Sequence, residues 1–410
     1  MATVHPFNAL MPSPEKAPKI AAVPYDVVNT EEASELAKNN MLSFLRVSRP
    51  EIELEEGINL YSDEVYQKAA ENFKRLRELA PLKEDPQSSL YIYSLVMDGR
   101  RQTGIVAAAS VDDYDNEIIK KHEKTRKAKE DDRTRHILTL RSQTGPVFLT
   151  YRDTENIMEV CNNVMEEKSP LFELMASDGI SHEIWRLSPE EIGKIVEKFE
   201  NIPSLYIADG HHRAASASRC REILKNQNSA HRGNEEYNRF LTVIFPASQM
   251  HILAYNRAIY DLNGLSEDDF LKKIQEKFKC TETNAKKPVG QCEFSMYLGG
   301  KWYTLKPSFD ISTLGVIEGL DVSILQDNIL APLLGIADPR TSNRVDFVGG
   351  IRGPEELERL VDSGKAQVAF SMYPTTIEQL MQVSDADLIM PPKSTWFEPK
   401  LRDGLLSHNI

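Results

Sequence analysis

The chain has 410 residues, too many for one ordinary hydrophobic core, so two or three domains are expected. Hydrophobic content of 41% with 27% charged residues describes a globular chain. No apolar run approaches membrane-spanning length, and Met1-Ala2-Thr3-Val4-His5-Pro6 lacks the basic and apolar regions of a signal peptide, so a cytoplasmic protein without membrane partners is expected. A net charge of −13 disfavours non-specific binding to nucleic acid, and the scattered Cys161, Cys220, Cys280 and Cys292 form no CxxC pair, which argues against a disulfide ladder or a zinc site.

The first segment, to about Pro24, is punctuated by Pro6, Pro12, Pro14, Pro18 and Pro24 and reads as an extended lead-in. A short helix is expected over Glu31–Lys38 and a longer one over Asp63–Ala80, stopped by Pro81. Strand-like runs Leu90–Val96 and Gly104–Val111 flank Asp98-Gly99, a strong hairpin signal. The charged segment Glu117–His136 holds eight Lys/Arg and five Asp/Glu. If it is helical, His122, Arg126, Lys129 and Arg133 fall on one face at i, i+4, i+7 and i+11, a stripe suited to polyphosphate, with Glu123 one position off that face. Taken alone, such a run is more simply a solvated helix laced by pairs such as Glu123–Lys127. Pro146–Tyr151 reads as a buried strand, and Ser188-Pro189-Glu190-Glu191 as a capped helix start.

The densest chemistry lies in Ser204–Arg213. Leu205–Ala208 is strand-like, Asp209-Gly210 turns the chain, and His211-His212-Arg213 opens a helix of small residues running to Leu224. A strand, tight turn and helix start point backbone N–H groups and the positive end of a helix dipole at a ligand. Arg213 adds a planar fork for phosphate oxygens, and His211 and His212 add further donors. Asp209 could hold Mg²⁺ or take a proton from a hydroxyl. A His-His metal site is disfavoured, because adjacent helix residues point about 100° apart.

Beyond the strand Leu241–Phe245 the texture changes. Ser266 caps a helix expected to reach about Phe278, and Gly299-Gly300 joins Phe294–Leu298 to Trp302–Leu305 as a hairpin. Val345–Val348 (strand), Pro354–Val361 (helix), Val368–Met372 (strand) and Thr376–Met381 (helix) follow. Mixed strands and helices give an α/β (α+β mixed) class, with one domain over residues 1–255 and a C-terminal α/β domain over 256–410. Near the end, Pro392-Lys393-Ser394-Thr395 places two hydroxyls and an ammonium on a stiff loop, equally readable as a carboxylate or phosphate clamp or as an ordinary turn. P-loop, GxGxxG, HExxH and GxSxG patterns are absent.

The Asp-Gly-His-His-Arg motif at a strand-to-helix turn resembles the signature of the ParB/sulfiredoxin superfamily. Within it, the motifs resemble those of archaeal free-serine kinases, which phosphorylate L-serine with ADP or ATP. Three motifs occur in their order: His122-Glu123, Asp209–Arg213 and Pro392–Thr395. The resemblance implies a ParB/sulfiredoxin-like nucleotide-binding core, Glu123 as base on the serine hydroxyl, and Asp209, Gly210, His211, His212 and Arg213 as the nucleotide-phosphate and Mg²⁺ end. It also implies that Lys393, Ser394 and Thr395 bind serine. Nearly the full length further resembles a widespread bacterial family of this architecture, through Val23–Val28, Ser43–Val47, His122–Arg133, Leu334-Gly335-Ile336 and Met390–Lys400.

The function expected is therefore phosphoryl transfer to a small hydroxylated metabolite, best L-serine, with ADP or ATP as donor and Mg²⁺ as cofactor. Reverse use on phosphoserine is a close variant, and a homodimer is left open. A ParB-like nucleotide-switched DNA-binding protein would need a helix-turn-helix and a basic domain, neither of which is recognisable. A non-catalytic serine or nucleotide sensor is the third reading. A sulfiredoxin-like reductase would need a cysteine where His211 and His212 stand.

Overall fold

Asp98 and Gly99 both take positive φ, 52° and 77°, as a two-residue hairpin turn requires. They join the strands Tyr91–Met97 and Arg100–Ser110, the centre of a nine-stranded mixed sheet. In the computed structural model, which describes residues 1–410, the sheet order runs Ile119–Lys120, Leu205–Asp209, Val147–Tyr151, Arg239–Pro246, Arg100–Ser110, Tyr91–Met97, Ser181–Arg186, Phe172–Met175. Val4–His5 adds to Arg100–Ser110. Two pairs are parallel, Leu205–Asp209 with Ile119–Lys120 and Arg239–Pro246 with Val147–Tyr151; the rest are antiparallel.

The chain divides into two units: residues 1–250 with 399–410, and residues 251–398. The last residues are thus part of the first unit rather than of a domain running from 256 to 410. Ser407–Asn409 pairs there with Ala9–Met11 and with Ser142–Gln143. The opening segment is more than an extended lead-in, because Val4–His5 and Ala9–Met11 join sheets and Ala17–Ile20 is helical. The first unit's main core packs Ile92, Ile105, Leu149, Ile207, Phe199 and Ile244. Helix Pro189–Glu200 covers part of it and begins with the expected capping box, Ser188 and Glu191 exchanging bonds.

The second unit carries a six-stranded sheet in which every pairing is antiparallel, with Phe278–Thr283 and Val345–Gly349 at its edges. It is an α+β layer rather than the α/β domain expected. Ser266 caps its first helix as anticipated, but that helix is Glu267–Gln275, and Phe278 already opens a strand. Phe278 is fully buried, so the core claims it as a strand residue. No helix is long and apolar enough to cross a membrane.

Candidate active site

The strand Leu205–Asp209 is buried along its apolar residues and loses register against Val147–Tyr151 between Ile207 and Asp209. Such a bulge re-aims the strand end, and here it delivers Asp209 to the turn. Gly210 then takes φ 96° and starts the helix His211–Gln227. Glycine is needed twice over. The left-handed backbone disfavours a side chain, and a Cβ would lie 2.9 Å from Arg213 Nε. Ala214, Ala215, Ser216 and Ala217 are buried on the next turn. Their small size lets this helix lie close against helix Lys127–Leu140, with Ser216 Oγ donating to the Glu130 carbonyl at 3.2 Å.

Asp209 sits between two cations, Lys400 Nζ at 3.1 Å and Arg213 Nη2 at 3.6 Å. Burial would push its carboxyl up, but Lys400 and Arg213 more than offset this and hold it well below the usual carboxylate range. One carboxylate already neutralised by two cations does not fit a protein-held Mg²⁺, and no cluster of three His, Cys, Asp or Glu side chains gathers to help it. Asp209 is engaged in ion pairs with Lys400 and Arg213.

Residues 121–126 are not helical; the helix begins at Lys127. The expected stripe does not form, since His122 and Arg126 precede the helix and only Lys129 and Arg133 lie on it. His122 is buried, its ring meeting His211 edge-on with centroids 4.4 Å apart. The histidines of the turn explain why this segment leaves the helix. The His122 backbone N–H donates to His211 Nε2 over a long 3.4 Å, and the Arg126 backbone N–H donates to His212 Nε2 at 3.0 Å. Burial pushes His122 down to about 4, and it drives His211 and His212 down as well, so the rings are held neutral. A neutral ring whose Nε2 accepts must carry its proton on Nδ1. His211 Nδ1 faces Glu123 Oε2 at 3.8 Å. Both turn histidines thus bind the 121–126 segment, a use that their expected role as phosphate donors did not include. Glu123 is half-exposed beside them, and Arg126 is exposed.

Arg213 is buried and donates through Nη1 to the Pro146 carbonyl. Its Nη2 also lies 4.0 Å from Asp26. Burial works against its charge, yet Asp26, Asp209 and Asp403 keep it firmly protonated. Arg133 pairs with Asp132 at 2.9 Å and lies over the Tyr25 ring at 4.0 Å. Tyr25, Asp26, Lys400 and Asp403 are the site residues that sequence reasoning missed. Pro24-Tyr25-Asp26 and Lys400 fall in segments that supported the family resemblance, a signal that went unused; nothing local marked Asp403.

The second unit contains Lys393, Ser394 and Thr395. Lys393 takes φ 58°, its carbonyl accepts from Arg257 Nη2 at 3.1 Å, and its ammonium lies over Tyr255. Ser394 is buried, donating to the Pro391 carbonyl at 2.6 Å and accepting from Thr375 at its own carbonyl at 2.8 Å. These bonds build a turn. His122, Glu123, Asp209, Gly210, His211, His212 and Arg213 are gathered in the first unit; Lys393–Thr395 belong to the other.

A family model described as a protein of unknown function, DUF1015, matches residues 4–323. No curated protein matches. Among solved structures, the chain is similar to a free serine kinase in complex with AMP, at 11% identity over 72% of this chain and 86% of that one, with a TM-score of 0.34. A conserved hypothetical protein from Pyrococcus furiosus is similar at 12% identity over 75% and 94%, TM-score 0.35. SbnI from Staphylococcus aureus, with a C-terminal truncation, is similar at 10% identity over 73% and 86%, TM-score 0.40.

Proposed function

The chain belongs to the DUF1015 family, and we propose that this member is a phosphotransferase moving a phosphoryl group from ADP or ATP to a small hydroxylated metabolite, with free L-serine the favoured acceptor. The observation that carries the reading is the meeting of Glu123 with the helix start at Gly210–Arg213 through His211. A base and an anion cradle in one place are what transfer to a hydroxyl needs.

By their position, the N–H groups of His211, His212 and Arg213 have no acceptor inside their own helix, and the helix dipole adds positive potential in front of them. Donor phosphate oxygens are stabilised there. The acceptor hydroxyl attacks the terminal phosphorus in line with the leaving oxygen. Its proton passes to the Glu123 carboxylate, the new O–P bond forms, and the bond to the nucleotide breaks with the electron pair staying on the nucleotide phosphate. Arg213, kept charged by three carboxylates, balances the charge that gathers on that leaving group. His211 and His212 keep the 121–126 segment, and so Glu123, against this helix start. Lys393, Ser394 and Thr395 remain proposed acceptor contacts on motif order alone, with no step derived through them.

The test is ³¹P NMR of the full-length protein with L-serine and either ADP or ATP. Formation of O-phosphoserine is expected, with Glu123→Gln slowing turnover by about 10²–10⁴-fold. Wild-type turnover in Glu123→Gln, or no phosphomonoester with either nucleotide, overturns the proposal.

A further inference from the structure

Three arginines have less than a tenth of their surface exposed: Arg213, Arg257 and Arg402. Two of them are answered by carboxylates, Arg213 by Asp26 and Asp209, and Arg402 by Asp178. Arg257, in the second unit and 4% exposed, is not. Its Nη1 donates to the Tyr255 carbonyl and its Nη2 to the Lys393 carbonyl, and the guanidinium lies 4.8 Å from the centroid of the Phe347 ring. Burial pushes it down to about 10, and no carboxylate acts against that. A guanidinium has five N–H donors, so three are left without a protein acceptor. An enclosed charge without a counter-ion is strongly destabilising, so its presence points to something that pairs with it.

A second cation stands beside it. Lys393 is exposed, and its ammonium lies 5.4 Å from the centroid of the Tyr255 ring with no carboxylate partner. Tyr255 in turn meets Phe347 and Trp396 edge-on, with centroids 6.0 and 5.2 Å apart. Two cations and three rings therefore share one corner of the second unit. The hydroxyl next to Lys393 is already engaged, because Ser394 Oγ donates to the Pro391 carbonyl. What this corner offers a ligand is positive charge and aromatic surface. A planar fork with a point ammonium beside it suits an oxyanion of charge −2, and the phosphate dianion fits that description.

We infer that Arg257 and Lys393 form a binding site for a phosphate dianion, free or carried on a small molecule whose apolar body rests on the rings of Tyr255, Phe347 and Trp396. The ligand is an anion rather than a zwitterionic amino acid, and its anchor, Arg257, lies outside every motif read in the sequence. The site lies wholly within the second unit. It does not rest on the proposed transfer, which is carried by Glu123 and the helix start at Gly210.

Amide hydrogen exchange of the full chain, followed in residues 391–396, reads this site apart from any phosphate bound in the first unit. Titrated with inorganic phosphate against chloride at equal ionic strength, exchange there should slow saturably, by about tenfold at ten times the dissociation constant. Arg257→Met should abolish the slowing, and Lys393→Gln, at an exposed position, should weaken phosphate by roughly tenfold. No slowing of the wild-type protein relative to chloride, or equal slowing by L-serine, overturns the site whatever the variants do. Full slowing in Arg257→Met overturns it as well. Phenyl phosphate binding more tightly than inorganic phosphate upholds the site and assigns it a phosphomonoester lying on the rings; equal binding upholds it for free phosphate. Phosphoserine formation without phosphate protection at 391–396 sinks the site and leaves the transfer. Protection without phosphoserine formation sinks the transfer and leaves the site.

Discussion

The two units bury different things. Eight of the nine histidines fall in the first unit, and His122, His136, His182 and His211 are almost wholly enclosed there; the second unit has only His251, which is not buried. The first unit also encloses Arg213 and Asp403, while the second is an antiparallel layer whose buried charges are chiefly Arg257, Glu293, Asp321 and Glu398. Polar burial is costly, and it is tolerated where groups need fixed protonation and fixed geometry. The first unit therefore combines the chemistry with the fragility.

Acid should separate the units most strongly. Burial holds His122 and His136 down at about 4 and His182 at about 3, with His211 also well below its usual value. Their unfolded value is about 6.5, so below that pH the unfolded chain binds more protons than the folded one. The stability these neutral rings carry is full above pH 6.5 and is lost as pH falls towards 4, on the order of 3 kcal/mol for His122 or His136. Asp403, raised to about 7, works in the opposite direction and offsets part of this. In the second unit Asp321, raised to about 6, is relieved rather than strained by acid. Amide hydrogen exchange at pH 7 and 4.5 should show protection falling in residues 1–250 while 251–398 keep theirs. Equal loss in both units would break the contrast.

A smaller effect is expected from Lys400→Met. It leaves Asp209 facing Arg213 alone, lets that carboxyl rise, and should cost about 1–3 kcal/mol in the melting of the first unit. An unchanged melting temperature would mean that Lys400 is dispensable to the turn. Smallest is Ser394→Ala, which removes the bond to the Pro391 carbonyl and should cost about 1 kcal/mol, confined to the second unit. A raised KM for L-serine with unchanged melting would instead return Ser394 to acceptor binding.

Local chemistry was the legible part. The Asp98-Gly99 turn, the Ser188 capping box and the Asp209-Gly210 strand-to-helix turn each depend on residues within a few positions, and each formed as read. The 121–126 segment misled because its charge spacing suits a helix, while its conformation is fixed by His211 and His212, almost ninety positions away. Asp403 lay beyond reach for the same reason: its surroundings are burial and the distant Arg213 and Gly145, none of which its neighbours in sequence betray. The end of helix Glu267–Gln275 was set by burial of Phe278, a tertiary demand that helix periodicity does not register.

Because residues 399–410 belong to the first unit, its sequence is interrupted by the whole of the second. Lys400 bonds to Asp209 across 191 positions. During synthesis, Asp209 and Arg213 therefore emerge long before Lys400, and the whole of residues 251–398 must be made before Asp209 gains its second counter-charge. A chain ending before residue 400 lacks the Lys400–Asp209 ion pair. Completion of this turn therefore depends on synthesis having passed through the second unit.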